Sequence, residues 1–294
     1  MSTPKNPQAT FVVVLAILLG AAMSWAGSDG GDRVGKIPVF ALCGALAFAI
    51  NWLVFIPSAL ARTERYYDLT GGITYVSVTL VATLLSSRLD LRASLVAAMV
   101  LIWALRLSTF LFLRIARAGH DRRFDDLKSR PLRFLMAWTL QGLWVLLTAA
   151  AALAVITGGV REPLGAVGIA GLAIWAIGML IEVVADRQKS KFRADPDNKE
   201  SFIDVGLWAW SRHPNYFGEI VLWTGMAIVA VPVLDGWQWA TLISPVFVAY
   251  LLIKVSGIPM LEEKADERWG GQERYETYKR STPVLIPKPP GWQR

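Results

Sequence analysis

The stretch "SRHPNYFGEI", residues 211–220, concentrates groups that could bind a polar ligand. Five of its side chains form hydrogen bonds readily: Arg212, His213, Asn215, Tyr216 and Glu219. Helical spacing puts Asn215, Tyr216 and Glu219 on neighbouring surfaces of one turn. Asn215 could instead cap the helix that follows, but a cap does not account for the other four residues. Because the next residues, "VLWTGMAIVAVPVL", are almost wholly apolar, we predict a ligand-binding turn at the mouth of an apolar helix.

Three arginines follow one stripe of an earlier apolar segment. Arg106 lies within "LIWALRLSTFLFLRI", and Arg114 and Arg117 follow it at steps of eight and three residues. Such steps keep side chains on roughly one face of a continuous helix. A charge inside a membrane span usually faces a cavity or a partner, and guanidinium groups bind phosphates well. We therefore predict an anion-binding stripe, with anchoring at the membrane surface as the alternative for Arg114 and Arg117.

The segment "DRQKSKFRAD" is a second candidate for anion binding. Asp186, Lys189 and Arg193 follow an apolar span within about two helical turns. A polyanion such as a nucleotide phosphate would suit this cluster. An ordinary basic segment that ends a membrane span is the alternative, and the residues alone leave both interpretations open.

The stretch "ERYYDLTGG", residues 64–72, holds a candidate proton donor pair. Tyr67 and Asp68 precede an apolar run, so they would lie near the membrane boundary, where they could exchange a proton with a substrate. The alternative is a helix start capped by Asp68 or Thr70.

Composition identifies the kind of protein that positions these groups. Of the 294 residues, 54% are hydrophobic, against about 45–50% in soluble domains. Because a bilayer-spanning helix needs about 20 apolar residues, we predict an all-α polytopic membrane bundle of seven or eight transmembrane helices, with a cytoplasmic nucleotide pocket. The eight candidate spans are residues 10–26, 37–60, 71–87, 93–113, 134–157, 164–185, 217–233 and 238–256.

Charge distribution predicts the topology. Most of the 30 Lys and Arg residues lie in loops 61–70, 114–133 and 186–216 and in the tail after residue 257. The positive-inside rule places these loops, and with eight spans both termini, in the cytoplasm. The net charge of +7 therefore indicates membrane-flanking loops, and we expect no nucleic acid partner. The first span could instead be a signal peptide, since "AAMSWAG" offers small residues near a cleavage site.

Metal chemistry and an internal disulfide are not expected. The chain has one cysteine, Cys43, and two histidines, His120 and His213, too few for a zinc cluster or a His-rich di-iron site. The segment "GAVGIAG", residues 165–171, is interpreted as a close helix-packing surface. A phosphate loop is disfavoured there because no strand precedes the glycines.

Six ordered blocks resemble a known family. They are "YYDLTGG", "RLSTFLFLRI…GHDRRFDDLK", "ADRQKSKF", "GLWAWSRHPNYFGEI", "GIPMLEEK" and "YETYKRSTPVLIP". Over roughly residues 60–290 the chain resembles the bacterial DUF1295 family of the steroid 5-alpha-reductase superfamily, to which sterol reductases and isoprenylcysteine methyltransferases are more distantly related. The resemblance implies two parts, N-terminal transmembrane helices over residues 1–60 and a reductase-like membrane domain over residues 61–294.

The resemblance also implies a cofactor and site residues. Reductases of the superfamily bind NADPH between membrane helices, opening to the cytosol. By that resemblance, the cofactor-binding residues are Arg106, Arg114, Arg117, Asp186, Lys189, Arg193, Arg212, His213, Asn215, Tyr216, Glu219, Glu263 and Tyr275. Glu263 falls near a position where steroid reductases use His. Trp103 stands where those enzymes have a catalytic Tyr, so Tyr67 and Asp68 are the catalytic residues that we expect instead.

We expect an integral membrane oxidoreductase in a bacterial inner membrane. NADPH would reduce an activated carbon–carbon double bond of a lipophilic substrate, such as a steroid, isoprenoid or lipid. The first alternative is a membrane methyltransferase that uses S-adenosylmethionine, because the Arg-His-Pro motif and paired glutamates such as Glu262 and Glu263 also occur in that branch. The second is a non-enzymatic lipid-binding protein. The sequence does not fix the oligomeric state.

Overall fold

Ten α-helices dominate the computed structural model. It describes the backbone of residues 6–118 and 124–289, and the side chains of residues 7–112 and 124–289. The helices are α1 (Asn6–Gly27), α2 (Val39–Leu60), α3 (Tyr67–Leu85), α4 (Leu91–Ala118), α5 (Pro131–Thr157), α6 (Gly165–Ala194), α7 (Pro214–Ala230), α8 (Ile243–Tyr250), α9 (Ile258–Trp269) and α10 (Glu273–Ser281). A two-stranded antiparallel hairpin, β1 (Arg33–Val34) and β2 (Ile37–Pro38), joins α1 to α2.

Eight helical stretches of the described chain are long and apolar enough to cross a membrane, so the predicted all-α membrane bundle is confirmed. The main difference from the predicted spans is length. The sixth span was predicted to end at residue 185, but α6 continues to Ala194. Its last turns carry charged and polar side chains, which a helix tolerates once it has left the apolar layer. The hairpin was not predicted, because strands of two residues leave no periodic pattern.

The chain forms two compact units. Unit 1 comprises residues 1–168 and 229–244, and unit 2 comprises residues 169–228 and 245–294. In unit 1, α5 packs against each of α1 to α4. Of the most apolar 18-residue stretch of α5, 89% is buried. Because α1 and α2 belong to this same unit, the units do not divide at residue 60. The proposed division into residues 1–60 and 61–294 stays a prediction.

In unit 2, α6 and α7 are held in backbone contact by glycines. A Cβ atom on Gly218 would lie 2.7 Å from both the backbone N of Glu182 and the carbonyl O of Gly178. Two turns further along α7, a Cβ on Gly225 would lie 2.7 Å from the carbonyl O of Gly171 on α6. Small residues allow such close approach of membrane helices. Of the segment 165–171 that was predicted as a packing surface, Gly171 makes this contact, whereas the Cβ position of Gly165 has open space around it. This contact fixes the polar end of α6 beside the start of α7.

A break in the last membrane span sets the direction of α9. After α8 the chain forms a π-helical segment, Leu251–Val255, and Ser256 donates its backbone N–H to the carbonyl O of Leu251 at 3.0 Å. Gly257 follows, and a Cβ there would overlap the backbone of Leu252. α9 then begins with Pro259 in its first turn, a position that suits proline. The amphipathic helix α9 therefore starts with Glu262 close to the end of the membrane span.

Candidate functional site

A carboxylate joins two residues of the Arg-His-Pro motif in unit 2. Glu262 Oε2 lies 2.6 Å from Arg212 Nη1, and Glu262 Oε1 lies 2.7 Å from His213 Nε2. The imidazole of His213 stacks on the ring of Tyr216, with ring centroids 5.7 Å apart and planes inclined by 10°. We call these four residues, Arg212, His213, Tyr216 and Glu262, the Arg212 cluster. It joins the mouth of α7 to α9.

The segment before α7 is held by the tail of the chain. Arg212 donates its backbone N–H to Pro283 O at 2.9 Å, and the Ser211 hydroxyl donates to Leu285 O at 2.8 Å. The backbone N–H of His213 in turn donates to Ser211 Oγ at 3.1 Å. These bonds present Arg212 and His213 from a fixed backbone, which a binding site requires.

Asn215 does not cap α7. The helix begins at Pro214, so Asn215 lies inside its first turn, and Phe217 N–H already donates to His213 O at 3.2 Å. Proline at the first helical position lacks the N–H that would need a partner there. The carboxamide of Asn215 is half-buried and forms no hydrogen bond with the described part of the chain. The capping alternative is therefore wrong, and Asn215 stays a predicted ligand contact.

The polar end of α6 reaches the same segment of unit 2. Trp208 Nε1 donates to Ala185 O at 3.0 Å, and Leu207 N–H donates to Gln188 Oε1 at 2.9 Å. Lys189 Nζ lies 4.3 Å from the centroid of the Trp208 ring, a cation–π contact. Lys189 is also close enough to His213 for its charge to lower the pKa of the imidazole. Two of the predicted cofactor-binding residues, Lys189 and Arg212, thus lie close enough to His213 for their charges to act on it.

The remaining predicted residues of this region take different positions. Asp186 is buried near the end of α6, whereas Arg193 is exposed about two turns further along. Glu219 is half-buried on α7. Each of these three side chains forms an interaction within the protein. Their predicted contacts with a cofactor stay predictions.

Sequence reasoning selected Glu263, but its neighbour Glu262 completes the cluster. Glu263 is exposed on α9, while Glu262 has a side chain 23% exposed and contacts both Arg212 and His213. Adjacent residues of a helix point about 100° apart, so only one of the two can face α7. The signal that could have identified Glu262 is the break at Ser256–Gly257, which sets the rotation of α9. The predicted cofactor contact of Glu263 stays a prediction.

Tyr275 is packed inside the C-terminal tail and does not lie on its surface. Its ring is 3% exposed and packs against Phe202 and Trp269 with centroids 5.2 Å and 6.1 Å away. Its hydroxyl donates to Asp266 Oδ1 at 3.0 Å. Burial, followed by this contact with a carboxylate, raises the pKa of Tyr275. Tyr275 therefore stays protonated and joins α10 to α9, and a direct contact with a cofactor stays a prediction.

Burial governs the charge state of His213. It lowers the pKa of the imidazole below its usual value, because a buried imidazolium loses hydration. The hydrogen bond and charge of Glu262 oppose this shift, while the charges of Lys189 and Arg212 add to it. His213 is therefore neutral at neutral pH, and the negative charge of Glu262 is balanced by Arg212. The cluster as a whole carries no net charge.

Several polar atoms of the cluster have no hydrogen-bond partner in the part of the chain that the structure describes. His213 Nδ1 and Arg212 Nε are both buried and unpartnered. Together with the Asn215 carboxamide they offer one ring nitrogen, one N–H donor and one amide. Buried polar atoms are almost always paired, so this arrangement fits a ligand that brings both donors and acceptors, as a nicotinamide dinucleotide would.

The predicted catalytic pair lies in unit 1, at the start of α3. The Tyr67 ring packs on Phe124 and Trp138, with centroids 4.7 Å and 5.2 Å away. Its hydroxyl donates to Ala137 O at 3.0 Å. Asp68 is half-buried in the first turn of α3. Neither Asp68 nor Thr70 caps that helix, since the Thr70 hydroxyl donates back to Tyr66 O at 2.7 Å. The capping alternative is wrong here also, and the catalytic assignment stays a prediction.

The arginine stripe also belongs to unit 1. α4 is one continuous helix through Ala118, as the stripe requires. The Arg106 guanidinium lies 5.8 Å from the centroid of the Phe110 ring. The side chains of Arg114 and Arg117 lie outside the described residues. Trp103, which the resemblance predicts to stand in place of a catalytic Tyr, is buried edge-to-face against Tyr75 with centroids 5.0 Å apart.

Within the described ranges, no group of three or more His, Cys, Asp or Glu side chains could hold a metal ion.

Comparison with known proteins gives one family match and several distant relatives. The model of the family described as "Protein of unknown function (DUF1295)" matches residues 54–282. The chain is 26% identical over 119 residues to "3-oxo-5-alpha-steroid 4-dehydrogenase 1" of Rattus norvegicus, which is 40% of each chain. It is 28% identical over 119 residues to the Bos taurus protein of the same name, covering 40% of this chain and 41% of that one.

A plant relative matches a shorter stretch. "Steroid 5-alpha-reductase DET2" of Gossypium hirsutum is 34% identical over 71 residues, which is 24% of this chain and 25% of that protein. The chain thus spans about two fifths or less of the length of the curated relatives it matches. No solved structure matches it.

Proposed function

The chain belongs to the DUF1295 family, and from this membership and the geometry of the Arg212 cluster we propose that it is an NADPH-dependent membrane reductase. Its substrate is a lipophilic molecule that carries an activated carbon–carbon double bond. Its similarity to proteins named as a 3-oxo-5-alpha-steroid 4-dehydrogenase and a steroid 5-alpha-reductase supports this class of reaction. The bound cofactor supplies a hydride.

One observation carries the proposal: buried, unpartnered polar atoms gather at the mouth of an apolar helix. His213 Nδ1 and Arg212 Nε have no partner among the described residues, and the Asn215 carboxamide stands beside them on the chain. An unpaired buried polar group costs about 1–3 kcal/mol, so such a group persists where a ligand pairs it. Lys189 adds a cation next to this set, which suits a ligand that carries phosphates.

In this proposal each residue has a physical role. Arg212 and Asn215 donate hydrogen bonds to the cofactor, and Lys189 attracts its phosphates. Asp68 donates a proton near the developing negative charge of the substrate. Tyr67 positions α3 against α5 through its bond to Ala137 O. The positive-inside rule supports a cofactor pocket that opens to the cytoplasm of a bacterial cell, with both termini on that side.

Equilibrium binding tests the proposal. Purified protein in lipid nanodiscs is titrated with NADPH and, separately, with S-adenosylmethionine. We expect saturable binding of NADPH and no binding of S-adenosylmethionine at the same concentrations. Saturable binding of S-adenosylmethionine alone would make the protein a methyltransferase. Binding of neither would support a non-enzymatic lipid-binding protein.

The stripe of α4 is tested in the same assay. Arg106→Ala should reduce the thermal stabilisation that NADPH produces, because a phosphate would lose a guanidinium partner. Arg33→Ala is the matched control, since Arg33 is exposed in β1. Equal stabilisation of both variants would remove Arg106 from the cofactor site.

A further inference from the structure

The ring of His213 has a defined tautomer because of the carboxylate beside it. An ionised carboxylate only accepts hydrogen bonds. Since Glu262 Oε1 lies 2.7 Å from His213 Nε2, that nitrogen carries the proton. The ring as a whole is neutral, because burial lowers the pKa of His213. His213 Nδ1 is then a lone-pair acceptor, and it is buried without a donor in the part of the chain that the structure describes.

The same carboxylate removes the positive charge that the motif would otherwise present. Arg212 and Glu262 form an ion pair with 2.6 Å between Nη1 and Oε2. A phosphate oxygen is itself an acceptor, so it cannot pair with the acceptor Nδ1. A neutral donor, such as a hydroxyl or an amide N–H, matches it in both charge and hydrogen-bonding sense.

Resting on the proposed function, we infer that His213 Nδ1 is a subsite for a neutral hydrogen-bond donor of the cofactor, a ribose hydroxyl or the carboxamide N–H of the nicotinamide. Glu262 is the positioning residue of this subsite. It fixes the tautomer through Nε2 and holds Arg212 beside the ring. Phosphate recognition falls to other cations of unit 2, among which Lys189 lies close to the imidazole.

The orientation of the ring supports this division of roles. His213 is 4% exposed and is held on one face by the nearly parallel ring of Tyr216. Its backbone N–H is fixed by Ser211 Oγ. With ring plane, backbone and Nε2 all fixed, Nδ1 points in one direction only. Such fixed acceptors give a site selectivity for a donor at one place on a ligand.

Nitrogen NMR tests the tautomer without any activity measurement. The chain has two histidines, His120 and His213, so protein labelled with ¹⁵N-histidine gives two sets of ring signals, and His120→Gln assigns them. We expect His213 to be protonated at Nε2 and unprotonated at Nδ1 at neutral pH, and its Nδ1 signal to move when NADPH is added. A proton on Nδ1 at neutral pH, or an Nδ1 signal unchanged at saturating NADPH, would overturn the inference.

Two substitutions separate the two ring nitrogens. In His213→Gln the side-chain amide reaches the position of Nε2 and can still contact Glu262, but no acceptor remains at Nδ1. In His213→Asn the amide stands near the position of Nδ1 and the contact with Glu262 is lost. We expect His213→Gln to weaken NADPH binding about tenfold, as the loss of one buried hydrogen bond implies. We expect His213→Asn to weaken it less.

Glu262→Gln tests the positioning role. The amide of glutamine can donate as well as accept, so the variant should give a mixture of His213 tautomers in the NMR spectrum and weaker NADPH binding. Glu267→Gln is the matched control, because Glu267 is exposed on the same helix. An unchanged tautomer in Glu262→Gln would show that Glu262 does not set it.

The outcomes distinguish this inference from the proposed function. If the wild type binds NADPH and His213→Gln binds it equally well, the subsite is wrong and the reductase proposal stands. If the wild type binds no NADPH, both fall. Thermal unfolding of each variant without ligand establishes that a loss of binding is not a loss of folding.

Discussion

Two arginines of this protein, the buried Arg92 in unit 1 and the half-buried Arg212 in unit 2, have opposite kinds of partner. Arg92 is 2% exposed and donates only to main-chain carbonyls. Its Nη1 donates to Val229 O at 2.6 Å, and its Nη2 donates to Pro163 O at 2.7 Å. Arg212 is paired with a carboxylate. The Nε atoms of both arginines are buried without a partner in the described chain, so the contrast lies in what their terminal nitrogens contact.

The difference separates a structural role from a binding role. The carbonyls that Arg92 contacts stand at the ends of helices or beside them, where backbone groups lack intrahelical partners. Arg92 joins the start of α4 to the chain before α6 and to the last turn of α7, so its donors serve the fold. In the Arg212 cluster the charges cancel within the protein and polar atoms remain unpaired. Neither a buried arginine nor its unpaired Nε therefore identifies a ligand site, since Arg92 has both. The unpaired His213 Nδ1 beside the ion pair distinguishes the Arg212 cluster.

The largest expected effect comes from Arg92→Met, which fills the same volume but removes the donors. The buried carbonyl of Val229 and the part-buried carbonyl of Pro163 lose their partners, so we expect the free energy of unfolding to fall by about 2–3 kcal/mol. Thermal unfolding in detergent measures the loss, with Arg88→Met, an exposed position nearby, as control. NADPH affinity at low temperature should not change. A stable Arg92→Met variant that binds NADPH poorly would reverse the roles assigned to the two arginines.

Arg212→Met should show the reverse pattern. Charge-assisted hydrogen bonds contribute about 1.5–3 kcal/mol, so NADPH binding should weaken by about 10- to 100-fold. Thermal stability without ligand should change less than in Arg92→Met. Arg280→Met, an exposed position on α10, is the control. The comparison fails if Arg212→Met lowers stability as much as Arg92→Met does and leaves the affinity unchanged.

The sequence predicted the membrane spans and the position of the Arg212 cluster, but it did not predict the role of Arg92. Lengths of apolar runs predicted all eight spans, because membrane insertion depends on local composition. The motif at residues 211–220 predicted the place of the cluster, because charged groups beside an apolar helix are costly without a role. The role of Arg92 was not predicted. Its partners are backbone carbonyls 71 and 137 residues away, and such partners have no residue-type signal.

Glu262 shows the same limit within the site. Its partner His213 is 49 residues away, and the pairing depends on the rotation of α9 after the break at Gly257. The sequence placed an acidic pair in the right segment, but local periodicity could not decide which of Glu262 and Glu263 faces α7. Long-range register comes from packing, in this protein the glycine contacts of α6 with α7 and the tail bonds to residues 210–213.

A pH titration tests the charge state of the Arg212 cluster, and the expected effect is smaller. Lys189 and Arg212 favour the neutral ring of His213, Glu262 favours the charged ring, and burial keeps the pKa below its usual value. As pH falls through this lowered pKa, Nδ1 gains a proton and changes from acceptor to donor. We expect the dissociation constant for NADPH to rise by up to about tenfold below that pH. His213→Gln should lack this step, and an identical pH profile in both proteins would contradict the assignment.

The smallest effect is expected for a third kind of charge pair, the exposed ion pair in the tail of unit 2. Lys279 Nζ lies 2.6 Å from Asp266 Oδ1, with side chains 27% and 47% exposed. Water screens such pairs, so Lys279→Met should lower the free energy of unfolding by about 0.2–1 kcal/mol. The difference from wild type should vanish in 1 M salt, where the screening length is about 3 Å.

Thermal unfolding at low and high salt measures both points. A loss of more than about 2 kcal/mol, or one that persists in high salt, would mean that the tail pair behaves like a buried contact. Charge pairing alone would then not explain the order of the substitution effects at these three sites. We expect that order to follow from burial and from whether each polar atom finds its partner inside the protein. Lys279 and Asp266 have water as an alternative partner, whereas the half-buried Arg212 has little access to it and the buried Arg92 almost none.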